Sequence, residues 1–226
     1  MASCVTVLQL DTDFPRVAGD VGCAQTYIGD IEILRISNAT VGQIVSTNPA
    51  AITIAPFEDA LAQARGDVIV TSCGFLSYWQ TLLAKQTGRP FISSALTALP
   101  DLCERHAPQD ILTVTFDADS LNGNHFGAYQ TDVIGLPPDM HLRQVISQNL
   151  TTLDVARATQ EIADFVALQC KPHHTHILLE CTNLPPYKHA LSAQTGLPIT
   201  DILTCIETVR EGTIQPAYLP PQRNIL

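Results

Sequence analysis

Two cysteines stand in nearly the same phrase. Residues 72–90 read SCGFLSYWQTLLAKQTGRP, and residues 180–198 read ECTNLPPYKHALSAQTGLP. Cys73 matches Cys181 at an offset of 108 residues, which also sets Gln86-Thr87-Gly88 on Gln194-Thr195-Gly196 and Pro90 on Pro198. Each cysteine follows a short apolar run and precedes a helical stretch. A thiol there feels the positive end of a helix dipole and meets backbone N–H groups from Gly74 or Thr182 and the residue after each, so a lowered pKa is expected. One such cysteine reads as a nucleophile. Two that face one cleft divide the labour of acid–base chemistry: one thiolate takes a proton from carbon, and the other thiol delivers one to the opposite face. The enolate that forms needs donors, which strand-end amides and the hydroxyls of Thr115 and Thr182 supply. The competing reading is two small buried hydrophobes at equivalent repeat positions.

The elements that must position these thiols alternate between strand and helix. Apolar runs at Val5–Leu10, Glu32–Ile36, Asp67–Thr71, Phe91–Ile92, Ile111–Thr115 and His176–Leu179 read as strands, with Ile199 as a strand tip. Helical spacing is seen at Phe57–Ala64, Ser77–Gln86, Ala95–His106, Leu142–Gln148, Leu153–Leu168, Tyr187–Gln194 and Ile202–Glu211, and AYLPPQRNIL reads as a tail. This alternation predicts an α/β fold with mainly parallel sheets and right-handed crossovers. The repeat predicts two pseudosymmetric lobes, each a mainly parallel sheet flanked by helices, with the active site in the cleft between them. The expected division gives residues 1–105 and 205–226 to the first lobe and 106–204 to the second. Ligands gather beyond the carboxyl ends of such strands, where Cys73, Cys181, Asp11 and the Thr115–Asp117 turn all fall.

The chain has 226 residues, 46% hydrophobic and 15% charged, enough to bury a core. Its net charge of −10, from 22 acidic and 12 basic residues without a basic run, argues against nucleic acid. No apolar stretch approaches the roughly 20 residues of a membrane span. Met-Ala-Ser-Cys runs straight into VTVLQL, so no secretory leader is expected, and the seven cysteines are widely spaced. Free thiols in a reducing cytoplasm are expected. CKPHHTH at 170–176 offers Cys170, His173, His174 and His176, but not the spacing of a standard zinc site, so no metal is expected. SLNGNHFGAY at 120–129 lacks a phosphate fingerprint and reads as a surface loop.

TSCGFL at 71–76, ECTNLP at 180–185 and LQLDTDFPRVAGD at 8–20 together resemble the Asp/Glu/hydantoin racemase superfamily. The resemblance covers essentially the whole chain. It implies a catalytic cysteine at a strand end of each lobe, Cys73 and Cys181, and no cofactor. Carried over position by position, it implies substrate contacts from Gly74, Thr182, Asn183 and Thr115. It places Asp11 at an amino group or thiol, and Arg16 on a distal carboxylate. A homodimer is also implied. Gly74-Phe75-Leu76 follows the first cysteine where glutamate and aspartate racemases carry Asn-Thr, and Asn183 stands where glutamate racemases carry His.

The expected activity is therefore an isomerase: a cofactor-independent racemase or epimerase. It would invert the α-carbon of a small carboxylate, either an amino acid such as aspartate or glutamate or a hydantoin-like compound. The same scaffold admits an arylmalonate-decarboxylase-like enzyme or a maleate-isomerase-like one, the latter with a cysteine as nucleophile. The non-enzymatic alternative is a two-lobed protein that closes on a small acid.

Overall fold

The computed structural model describes residues 4–220. The first sheet is built from β1 (Val5–Leu10), β2 (Ile31–Ile36), β3 (Val68–Thr71) and β4 (Phe91–Ile92), with α1 (Val41–Ile44), α2 (Ala55–Gln63), α3 (Gln80–Lys85) and α4 (Leu99–Cys103) between and after them. The second contains β5 (Ile111–Thr115), β6 (Asp132–Gly135), β7 (His176–Leu179) and β8 (Ile199–Thr200), joined through α5 (Gly123–Phe126), α6 (His141–Ser147), α7 (Val155–Gln169) and α8 (Lys188–Thr195). Strand order is β2-β1-β3-β4 in one sheet and β6-β5-β7-β8 in the other, and every pairing is parallel. Val5 lies opposite both Ile31 and Val68, and Ile111 lies opposite His176. The two sheets are thus one topology used twice, with β3 and β7 carrying the repeated cysteines. Both strands are buried along their whole length, as expected of parallel strands covered on both faces.

The last helix, α9 (Ile202–Val209), returns to the first sheet and packs Ile202, Leu203 and Ile206 against Val5, Val7, Val68 and Val70. Asp201 caps it, accepting from the Thr204 N–H at 2.9 Å, while its other oxygen meets the buried Lys188 ammonium at 2.7 Å. Residues 221–226 of the expected tail lie outside the described residues, and Pro216–Tyr218 form a short 3-10 turn.

Some local expectations change. The helix expected at Ser77–Gln86 is a 3-10 segment, Gly74–Trp79, running into α3, and the one expected at Ala95–His106 is a 3-10 turn, Ala95–Ala98, running into α4. The repeated TG-x-P exits also differ: Gly196 caps α8 in the left-handed region at φ 68°, whereas Gly88 is not among the glycines with positive φ. SLNGNHFGAY is not a plain surface loop. Its centre is α5, closed by a capping box between Asn122 and His125, and Phe126 is buried.

Each lobe sends the loop after its central strand into the other. Phe14, beyond β1, joins the second lobe's core beside Phe116, Cys181 and Tyr187. Leu121 and Phe126, beyond β5, join the first lobe's core beside Cys73, Phe75 and Leu76. Burial of such a side chain stabilises by about 1.5–3 kcal/mol. The reciprocal exchange clamps the carboxyl ends of the two sheets together.

Candidate active site

Cys73 follows β3 and Cys181 follows β7, and both thiols line one cavity between the lobes. The lobes meet directly at the strand ends, where Thr182 Oγ1 donates to the Ser72 carbonyl at 2.7 Å; within the first lobe, the Ser72 hydroxyl accepts from the Leu10 N–H at 3.0 Å. Phe14, Phe75, Phe116, Val41, Val45 and Ile146 provide apolar walls. The cavity encloses about 30 Å³, room for about two water molecules. A larger cleft of about 490 Å³, beside Arg105 and Thr204, contains neither of these two cysteines. Convergence of titratable groups, not volume, marks the site.

Each sulfur receives a backbone N–H from the residue two positions on, Phe75 for Cys73 and Asn183 for Cys181. That much follows the expected geometry. The expected low pKa does not. Burial, and after it the neighbouring Glu180, push the Cys73 thiol up to about 12 against lowering by the Phe75 N–H and Arg16. Burial and Glu180 also raise Cys181, and Cys73 and Asp20 add to the effect. The short 3-10 turns after the cysteines offer little dipole to oppose the loss of water.

Glu180 is the residue that sequence reasoning missed. Its side chain is fully buried, Oε2 accepts from the Thr115 hydroxyl at 2.6 Å, and Oε1 has no partner among the described residues. Burial raises its pKa to about 7, with the Thr115 hydrogen bond working against the rise. A carboxylate ending the apolar run HILL was the available signal. Asp20, also missed, organises the other wall. Its Oδ1 pairs with Arg16 Nη1 at 2.9 Å and accepts from the Gly22 N–H at 2.7 Å, while Oδ2 accepts from Asn183 Nδ2 at 2.6 Å. Arg16 Nη2 donates to Thr12 Oγ1 at 3.3 Å, and Asn183 Oδ1 accepts from the Cys181 thiol at 3.8 Å. One chain of contacts therefore runs from the loop after β1 to the second thiol.

Of the other residues singled out in the sequence, Arg16, Gly74, Thr182 and Asn183 line the cavity. Thr115 stands behind it, holding Glu180 instead of facing a substrate. Asp11 is a correction: it lies outside the cavity, its carboxylate held by Arg35 at 2.5 Å and by the Asn38 N–H at 2.9 Å. That pairing, with the N–H bond first, lowers its pKa.

CKPHHTH brings His173 and His174 to Asp132, their Nε2 atoms 3.6 and 3.2 Å from Oδ2. The Lys171 N–H donates to His174 Nδ1 at 3.0 Å, so in neutral His174 the proton sits on Nε2 and no lone pair faces Asp132. Lys171 Nζ occupies the same carboxylate oxygen at 2.8 Å. The cluster is built as a hydrogen-bonded ion pair, with a donor set unsuited to a cation.

No family model matches the chain. Among solved structures, it is similar to an allantoin racemase from Pseudomonas fluorescens (TM-score 0.59, 11% identity, 99% of each chain). It is similar also to a glutamate racemase from Bacillus anthracis (TM-score 0.54, 14% identity, 87% of this chain and 76% of that one) and to arylmalonate decarboxylase (TM-score 0.54, 13% identity, 96% and 97%). The chain has the Asp/Glu/hydantoin racemase fold. Among curated proteins, dimethylsulfoniopropionate lyase 3 of Emiliania huxleyi is 27% identical over 222 residues, covering 90% of this chain and 58% of that protein. A dimethylsulfoniopropionate lyase of Durusdinium sp. clade D is 24% identical over 229 residues, covering 92% and 74%. The chain spans about half to three fifths of the length of the Emiliania proteins it matches. These relatives are named as lyases, and they overturn the expectation of a racemase or of any isomerase. Among the described residues, no helix is long and apolar enough to cross a membrane.

Proposed function

We propose that this chain is a cofactor-independent lyase acting on dimethylsulfoniopropionate or a close β-sulfonium carboxylate. The observation that carries the reading is the pair of buried thiols in one apolar cavity, in a chain whose curated relatives are named for that lyase activity. A thiolate at Cys73 or Cys181 takes the proton from the carbon beside the carboxylate. The electron pair left behind forms the carbon–carbon double bond, the bond from the β-carbon to sulfur breaks, and sulfur leaves with its electrons as neutral dimethyl sulfide. Zwitterion and thiolate become acrylate, dimethyl sulfide and thiol, so charge and atoms balance. The leaving group needs no proton, so one base suffices.

Cys73 is the better base. Arg16 favours its thiolate, whereas Cys181 carries the further negative neighbours Cys73 and Asp20. Cys181, remaining a thiol, with the N–H groups of the strand-end turns, donates to the enolate oxygen. The positive sulfonium itself favours thiolate formation when it enters. The closed cavity is smaller than this substrate, so entry displaces Phe14, or Val41 of α1 and Val45 just after it. A reducing compartment, the cytoplasm, is part of the same proposal, since all seven cysteines are free thiols. The test is incubation with dimethylsulfoniopropionate, with dimethyl sulfide read in the headspace and acrylate by proton NMR. Stoichiometric appearance of both is expected, and absence of both from folded, reduced protein refutes the reading.

A further inference from the structure

We propose that Glu180 is the seat for the cationic end of the substrate, and that it selects onium carboxylates over carboxylates of the same shape that lack the cation. The inference rests on the lyase reading for the class of substrate, and on the geometry of the cavity for the residue. Two charged side chains line the cavity, Arg16 and Glu180. Arg16 is already matched, with one guanidinium nitrogen on Asp20 and the other on Thr12. Behind the aromatic wall, Arg143 lies 3.8 Å over the Phe116 ring and pairs with Asp117 at 3.5 Å. Arg143 Nη1 and Glu180 Oε1 both lack a partner among the described residues, and of the two residues only Glu180 lines the cavity.

Neither protonation state satisfies that oxygen. As a carboxylate, Oε1 is a bare acceptor; as an acid, with Oε2 accepting from Thr115, it is a bare donor. A fully buried orphan of this kind calls for a missing partner. A sulfonium offers no hydrogen bond but a compact, weakly hydrated positive charge, which suits a carboxylate in apolar surroundings. Gly74 is what admits Glu180 to this position: a Cβ there would lie 2.5 Å from the Glu180 carbonyl oxygen and closer still to Oε1. The seat also reconciles the raised thiol pKa values with base catalysis. Burial first, and the Glu180 carboxylate second, hold both thiols protonated, and a cation beside Glu180 cancels the second contribution when substrate is bound.

The titratable and charged groups around Glu180 are Cys73 at the end of β3, Cys181 after β7, and Arg16 with Asp20 from the loop after β1; Tyr187 stands behind Asp20 and Cys181. Burial holds Glu180 near pH 7, so at pH 6.5 it is largely protonated and an entering cation must displace its proton. Calorimetry on the whole chain tests this with two probes of one shape that cannot undergo β-elimination, dimethylsulfonioacetate and its isostere without the cation, 3-methylbutanoate. The wild type is expected to favour the sulfonium, and Glu180→Gln to reduce that preference by about tenfold or more, equivalent to about 1.4 kcal/mol. At pH 6.5, in buffers of different ionisation enthalpy, the sulfonium is expected to release a fraction of a proton from the wild type, and the isostere none.

An unchanged preference in Glu180→Gln overturns the proposal. Should that variant not fold, wild-type binding of the sulfonium without proton release overturns it equally. Failure of the lyase reading is distinct. Sulfonium binding that depends on Glu180 without release of dimethyl sulfide removes the activity and keeps the seat. Turnover with an unchanged preference in Glu180→Gln removes the seat and keeps the activity.

Discussion

Gly74→Ala tests how tightly the two lobes meet at the thiols. The new Cβ would stand 2.5 Å from the Glu180 carbonyl oxygen, a separation that real Cβ atoms do not show, and it would press on the carboxylate as well. A side chain could turn aside, but the carbonyl belongs to the strand end that also carries Cys181. The lobes must therefore part by a few tenths of an ångström, or the Ser72–Gly74 turn must shift. Overpacking of this kind costs about 1–3 kcal/mol. For a chain of this size each kcal/mol lowers Tm by about 2–4 °C, so a fall of about 4–8 °C is expected at the middle of that range. Turnover of dimethylsulfoniopropionate should fall as well, because the shift moves both thiols and Glu180. Gly42→Ala is the control, since nothing lies within 4 Å of its added Cβ. Differential scanning calorimetry and the headspace assay read both effects. A Gly74→Ala protein with wild-type Tm and wild-type turnover would refute the account of the lobe junction.

Three further outcomes are expected. Glu180 has a folded pKa of about 7 against an ordinary 4.5, so the folded state holds its proton longer than the unfolded state; its stabilising contribution is complete below about pH 4.5 and is lost as pH rises through about 7, a change of about 3 kcal/mol. Urea unfolding from pH 4.5 to 8 should show this decline in the wild type and a flatter profile in Glu180→Gln. Asp20→Ala strips the buried Arg16 of its counter-ion and Asn183 of its acceptor, and should destabilise the fold by about 3–5 kcal/mol in the same measurement. Lys188→Met leaves Asp201 buried and unpaired beneath α9, with a similar loss expected in urea unfolding and no requirement for substrate to see it.

The repeated phrase around Cys73 and Cys181 was enough to read the doubled topology, because buried parallel strands announce themselves as unbroken apolar runs such as VIVT and HILL. The edge strand β6 escaped because Asp132-Val133-Ile134-Gly135 is half-buried and carries no such run. The thiols were legible and their electrostatics were not. Burial and the Glu180 carboxylate set those pKa values; burial depends on contacts far apart in sequence, and Glu180 adjoins Cys181 but reaches Cys73 only across the lobe junction. Asp11 and Asp20 flank the same loop, and spacing alone could not tell that Arg35 claims the first while Arg16 and Asn183 share the second. The replacement of polar residues by Gly74-Phe75-Leu76 after the first cysteine, and Asn183 in the place of His after the second, are the sequence features that point away from an amino-acid racemase.

The central claim is that the buried thiols perform carbon–sulfur cleavage. The most direct measurement is dimethyl sulfide release from dimethylsulfoniopropionate by the wild type, Cys73→Ala and Cys181→Ala, each shown folded by calorimetry. The account predicts release by the wild type, a loss of about 10²–10⁴-fold in Cys73→Ala as the base is removed, and a smaller loss in Cys181→Ala. Undiminished release from Cys73→Ala would contradict it.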